Sequence, residues 1–226
     1  MNYIKVNDIQ LYYKKSGQGN PIILLHGNGE DHTIFNVLTK QLSENYTVYA
    51  IDSRDHGKSD KVKVLNYSDM ADDTIAFIKE LQIQKPVFYG FSDGGIIGLL
   101  MAVKEPNLLS KLIISGVNTN TGGLKTSLII LMKIYYFFTR NRKFKMMLTQ
   151  PNITPQELNM IITPTLVLAG SKDFIKGEHT RAIAENIKNS VLNVLEGEGH
   201  ASYVINSKKL YKVISPFLTE VTEQTQ

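Results

Sequence analysis

Residues 87–98 read Val-Phe-Tyr-Gly-Phe-Ser-Asp-Gly-Gly-Ile-Ile-Gly, and this stretch restricts the possible folds more than any other in the chain. Pro86 to Tyr89 forms an apolar run short enough for a buried strand, and Ile96 to Val103 is apolar enough for a buried helix. Between them stands Gly-Phe-Ser-Asp-Gly. Small residues two before and two after a serine let a strand turn sharply into a helix without Cβ clashes, and Gly90 and Gly94 occupy those two places. The turn lifts the Ser92 hydroxyl above the strand end and leaves it at a helix N-terminus, where unpaired N–H groups favour negative charge. A strand–serine–helix turn of this kind belongs in a sheet flanked by helices.

The rest of the chain supplies that sheet. Residues 3–6 and 9–15 alternate apolar and polar and join at Asn7-Asp8, a hairpin turn. Ile22–Leu25, Thr47–Ile51, Leu112–Ile114, 163–169 and Val191–Leu195 are further short buried strands. Helical periodicity appears over Thr33–Leu42, over Tyr67–Leu81 with Ser68 as N-cap, around Glu178–Lys188 and from about Ser202 to Leu218. Thr219 to Gln226 look frayed. Strands alternating with helices predict an α/β class with a mostly parallel sheet covered on both faces. The length of 226 residues, 42% hydrophobic and 20% charged, suits one such domain.

One region departs from the rhythm. Pro106 to Gln156 holds no Asp or Glu but contains Lys111, Lys125, Lys133, Arg140, Arg142, Lys143 and Lys145. Residues 118–159 read as helices without strands, a small cap inserted into a core made of 1–117 and 160–226. Ser127–Phe138 is its most apolar part. At about a dozen residues, broken by Lys133, it is too short for the roughly 20 needed to cross a bilayer, so it reads as a buried or interfacial helix. The basic face reads as a solvated face, or more sharply as a surface for anionic substrate or lipid head groups. A formal charge of +4 gives no case for nucleic acid binding, and the absence of cysteine excludes disulfides, a thiol nucleophile and thiolate metal sites. Met1 leads directly into strand-like alternation with no apolar leader, which makes the cytoplasm the expected compartment.

A serine at its ordinary pKa needs a base within hydrogen-bond reach and a carboxylate to orient that base. In open α/β sheets such partners come from loops at the carboxyl ends of strands. Strand 163–169 runs into Gly170-Ser171-Lys172-Asp173, and strand 191–195 into Glu196-Gly197-Glu198-Gly199-His200. Ser92, Asp173 and His200 are therefore the expected nucleophile, orienting acid and base. Glu178 and Glu196 are weaker acids because neither follows its strand so closely. His32 and His179 fall at helix starts and read as surface or capping residues, whereas His56 reads as an organiser of its loop. The oxyanion of an acyl transfer needs donors, for which the backbone N–H groups of Asp93 and of Asn28 in the His26-Gly27-Asn28-Gly29 loop are expected.

Taken together, His-Gly-Asn-Gly, Asp52-x-Arg54-x-His56-Gly57-x-Ser59, Gly90-Phe-Ser-Asp-Gly-Gly95, Gly170-Ser-Lys-Asp173 and Gly199-His200 resemble the α/β-hydrolase family over nearly the whole chain. The resemblance implies an eight-stranded sheet with its second strand antiparallel, a cap after the sixth strand, no cofactor and no metal. It also implies hydrolysis of a small-molecule carboxylic ester through an acyl-enzyme. Serine at the elbow argues against the haloalkane dehalogenase and epoxide hydrolase branches. The Ser-Asp-Gly-Gly variant resembles the valacyclovir hydrolase-like amino-acid esterases, in which the residue after the nucleophile is linked to binding a substrate amino group. Asp93 is the residue in that place, with a solvated rim carboxylate as its plainer role, and Asn118 at the start of the cap is a further candidate for substrate contact. Carbon–carbon, thioester or lactone hydrolysis with the same triad stays open, as does a catalytically silent ligand-binding member of the fold. Contact of the basic cap with a membrane surface and the oligomeric state also stay open.

Overall fold

In the computed structural model, which describes residues 2–220, the eight strands form one sheet in the order β1-β2-β4-β3-β5-β6-β7-β8. The strands are β1 (Asn2–Val6), β2 (Ile9–Ser16), β3 (Asn20–Leu25), β4 (Tyr46–Ile51), β5 (Val87–Phe91), β6 (Lys111–Ser115), β7 (Thr165–Gly170) and β8 (Ser190–Leu195). β2 runs antiparallel to both neighbours, and every pairing from β4 to β8 is parallel. The expected hairpin at Asn7-Asp8 forms, with Asn7 at φ +48°. The expected fraying of Thr219 to Gln226 lies, from residue 221 on, outside the described residues.

Alternation along each strand feeds two cores. Ile23 and Leu25 of β3 join a cluster with Met70, Phe77, Ile97 and Ile183. Ile22 and Leu24 join the opposite cluster with Phe35, Leu38, Leu210 and Ile214. The first face carries α2 (Tyr67–Glu80), α3 (Asp93–Lys104) and α7 (Gly177–Asn186), and the second carries α1 (Asn36–Leu42) and α8 (Lys209–Thr219). Because the six strands from β3 onward point the same way, apart from their crossovers, the loops after β3, β4, β5, β6, β7 and β8 all open at one edge of the sheet.

Several boundaries differ from the sequence reading. α2 is capped by Asn66, whose side chain accepts from the Asp69 N–H, and not by Ser68, which lies inside its first turn. α8 starts at Lys209 and not near Ser202. Residues 201–206 form turns pinned by an Asn206 N–H to Ile34 carbonyl bond of 2.8 Å, and Asn206 sits at φ +47°, where a helix cannot pass. Between β6 and β7 lie α4 (Thr126–Thr139), α5 (Arg142–Thr149) and α6 (Pro155–Asn159). α4 is not a buried helix. Only Met132 is buried, while Leu131, Phe137 and Phe138 are 63%, 64% and 78% exposed. The insert is tied back to the sheet edge by a Leu124–Ile175 bridge and by Lys125 N–H to Phe174 carbonyl (2.9 Å) and Lys176 N–H to Gly123 carbonyl (2.8 Å) bonds. Among the described residues, no helix is long and apolar enough to cross a membrane.

Candidate active site

The turn after β5 is held by what surrounds it. Ser92 adopts φ +50°, ψ −115°, and its N–H extends the ladder by bonding to the Ser115 carbonyl at 2.8 Å. A Cβ on Gly90 would lie 2.2 Å from the Gly94 carbonyl oxygen, and one on Gly94 would lie 2.2 Å from the Leu25 carbonyl oxygen. Only hydrogen fits at either place, which is the physical content of the Gly-x-Ser-x-Gly spacing. The Ser92 side chain makes no capping bond to α3, so its hydroxyl remains available.

That hydroxyl meets His200. Ser92 Oγ is 3.2 Å from His200 Nε2, and His200 Nδ1 is 2.8 Å from Asp173 Oδ1. Asp173 is buried, and the same oxygen accepts the Ile175 N–H at 2.9 Å, which fixes the carboxylate within its loop. Nδ1–H donates to the carboxylate, so Nε2 carries the lone pair that faces the serine. The imidazole lies between two rings, with centroids 3.8 Å from Phe174 and 4.9 Å from Phe91. Glu178 starts α7, and Glu196 accepts from Ser171 on the surface, so neither acid takes part in this arrangement.

The loop after β3 lies against the turn. A Cβ on Gly27 would be 3.1 Å from Ser92 Cβ, and the Gly27 N–H is occupied by Glu30 Oε2 at 2.9 Å. The next peptide carries the Asn28 N–H, and the first residue of α3 carries that of Asp93. Burial raises the Glu30 carboxyl above its ordinary range.

The Asp93 carboxylate is buried, not a solvated rim group. One oxygen accepts from Tyr67 Oη at 2.8 Å and the other from Asn28 Nδ2 at 2.9 Å. Burial pushes its pKa up to about 6, against the opposing pull of these two donors. Asn118, half-buried beyond β6, donates to the Asn120 carbonyl at 3.0 Å and so braces its own loop.

The histidines outside this cluster organise structure. His32 is buried and not at the surface, with its N–H and Nδ1 both bonded to Asp52 Oδ1 at 2.8 and 2.7 Å. His179, half-buried on α7, accepts the Thr119 N–H at Nε2 (3.0 Å) and so joins α7 to the segment after β6. His26 accepts from Ser53 N–H, and His56 Nδ1 donates to the Arg54 carbonyl at 2.9 Å. Burial lowers both pKa values to about 4. Arg54 forks onto Asp73 at 2.5 and 2.7 Å, both buried. Asp31, His32 and Asp52 are near enough to share a cation, but Asp52 Oδ1 is occupied by His32, and Asp31 caps the turn at Thr33.

Three neighbours of the site had no motif to announce them. Gly116, at φ +60°, ends β6, and a Cβ there would lie 2.7 Å from His200 Cε1. Phe174 follows the acid and covers the imidazole, and Tyr67 reaches Asp93 from a different helix. Gly116 had a weak signal, as a glycine directly after a buried strand.

A family model described as the alpha/beta hydrolase fold matches residues 20–145. A Haemophilus influenzae protein named for esterase/lipase activity is 26% identical, with 93% of this chain and 88% of that protein aligned. Human serine hydrolase BPHL is 27% identical over 95% of this chain and 85% of its own length. MGS-M2, an alpha/beta hydrolase enzyme from a Medee basin deep-sea metagenome library, superposes with a TM-score of 0.83 at 18% identity over 100% of both chains, a likeness of fold. The chain belongs to the α/β-hydrolase family.

Proposed function

We propose that this α/β-hydrolase is a serine hydrolase of small carboxylic esters. The observation that carries the reading is the unbroken line from Ser92 Oγ through His200 to Asp173, with contacts of 3.2 and 2.8 Å, on a turn whose serine side chain makes no capping bond to its helix. Ester cleavage is further supported by the relatives named for esterase and serine hydrolase activity.

His200 Nε2 takes the Ser92 proton as Oγ attacks the acyl carbon, and Asp173 steadies the imidazolium that forms. The negative charge moves to the former carbonyl oxygen, which accepts from the Asn28 and Asp93 N–H groups at the positive end of α3. His200 then protonates the departing alcohol. Water, deprotonated by His200, attacks the acyl-enzyme and releases the acid, with Ser92 restored. Phe91 and Phe174 keep the imidazole plane fixed between these proton transfers.

Ser92→Ala is expected to abolish turnover of short p-nitrophenyl esters and labelling by a fluorophosphonate while leaving the melting temperature near that of the parent protein. Retained turnover in a correctly folded variant refutes the assignment of the nucleophile.

A further inference from the structure

Beside the site, Asp55, Lys61, Arg140, Asn141, Arg142 and Lys143 line a cleft of about 610 Å³. Four of the six are cations and one is an acid. Arg142 and Asp55 cancel as a bidentate pair at 2.6 and 2.9 Å. Lys61 donates to the Asp55 backbone carbonyl at 3.1 Å, which leaves its charge in place. Arg140, in the left-handed conformation that ends α4, lies over the Tyr136 and Phe137 rings, 5.6 Å from each. Lys143 is half-buried, and among the described residues no carboxylate lies within ion-pair distance of its ammonium. Among the described residues, three positive charges therefore stand in one concavity without an ion-pair partner.

Asp55 of this cleft lies in the loop after β4, at the sheet edge that also carries the Ser92 turn. Lys143 is near enough to act electrostatically on the Asp93 carboxyl and on His56, and Asp93 directly follows Ser92. Asp93 makes no ion pair with Lys143, its oxygens accepting from Tyr67 and Asn28, although its charge and that of Asp55 favour the ammonium. Those same bonds hold the Asp93 carboxyl against Tyr67 and Asn28. Burial and the neighbouring cations Lys61 and Arg142 lower the Lys143 pKa, which an arriving anion would reverse.

We propose that the cleft formed by Lys61, Arg140 and Lys143 binds a negatively charged group of the substrate, so that the preferred esters carry an oxyanion such as a carboxylate away from the scissile bond. The inference rests on Ser92 acting as the nucleophile, and it selects anionic over amino-bearing esters.

The test compares mono-p-nitrophenyl glutarate with its methyl ester, two substrates that differ in charge at the far end. At low ionic strength kcat/KM is expected to favour the acid by about tenfold, the worth of a partly exposed ion pair or two. The preference should shrink in about 0.5 M salt. In Lys143→Gln/Arg140→Gln the ratio should approach one, whereas Lys133→Gln, outside the cleft, should keep it. A ratio near one in the parent protein, or a preference indifferent to salt and to the double variant, overturns the proposal while the esterase reading stands. Calorimetric binding of monomethyl glutarate against dimethyl glutarate to the Ser92→Ala protein decides the cleft without turnover. If binding favours the monoanion but no ester is hydrolysed, the catalytic reading alone falls.

Discussion

Gly116→Ala isolates the support behind His200, the proposed base. At φ +60° an alanine is strained by about 1–2 kcal/mol. Its Cβ would also sit 2.7 Å from His200 Cε1, 2.8 Å from Nδ1 and 3.3 Å from Asp173 Oδ2. Non-bonded carbons rest about 3.5–4.0 Å apart, so the ring must retreat by close to ~1 Å or the backbone must yield. The ring has little room, since Phe174 lies 3.8 Å from it on another side. Overpacking adds a further ~1–3 kcal/mol, for a total loss of about 2–5 kcal/mol. A displacement near 1 Å at a catalytic group costs about 10²-fold in rate. The expected result is a fall of about 10² in kcat for p-nitrophenyl acetate with KM changed far less, slower fluorophosphonate labelling of Ser92, and a lower urea midpoint. A variant with kcat within about threefold of the parent and an unchanged midpoint would show that Gly116 does not set the His200 position.

Three further outcomes follow from the buried charges. Arg54→Met strands Asp73 in the core and should cost about 3–5 kcal/mol in urea unfolding. An unchanged midpoint would mean that the fork carries no net energy. His26 and His56, held near pKa 4 against 6.5 in the unfolded chain, contribute stability that is present above pH 6.5 and lost as the pH falls toward 4. The melting temperature should drop over that window, and less steeply in His56→Gln. Asp93 has the opposite sign. Its carboxyl is raised from 3.8 to about 6, so its contribution is present at low pH and lost as the pH rises through 6. The stability of Asp93→Asn relative to the parent should therefore improve by about 2.4 kcal/mol between pH 4 and pH 8, and a pH-independent difference would contradict the burial argument.

The parts of the site legible in sequence were those whose chemistry constrains neighbours along the chain. Gly90 and Gly94 flank Ser92 because the turn itself allows nothing larger, and Asp173 and His200 stand just beyond strand ends because the sheet edge lies there. The supporting shell comes from through-space packing. Tyr67 reaches Asp93 across 26 positions, and Gly116 is small because a ring from residue 200 passes over it. The apolar composition of α4 suggested a buried or interfacial helix, but composition does not reveal which face a helix turns toward the core, and here Met132 is buried with Leu128 and Ile129 partly so. The start of α8 was misplaced because the signal that ends the preceding turns, the left-handed Asn206, is a backbone state with no periodicity of its own.

Lys111 opens β6 in the middle of the sheet, yet its ammonium is capped by the Phe217 and Glu220 carbonyls at 2.6 Å and the Leu218 carbonyl at 3.2 Å, 106 or more residues later. These are the free carbonyls at the end of α8, the negative end of its dipole. During synthesis, at about 5–20 residues per second, β6 is thus made several seconds before the group that neutralises it. Until α8 arrives, the strand carries a charge that cannot be buried without cost. Closure of the core therefore waits on the C-terminal helix, and a ribosome-bound chain that stops before residue 217 should lack the Lys111 cap and a closed core.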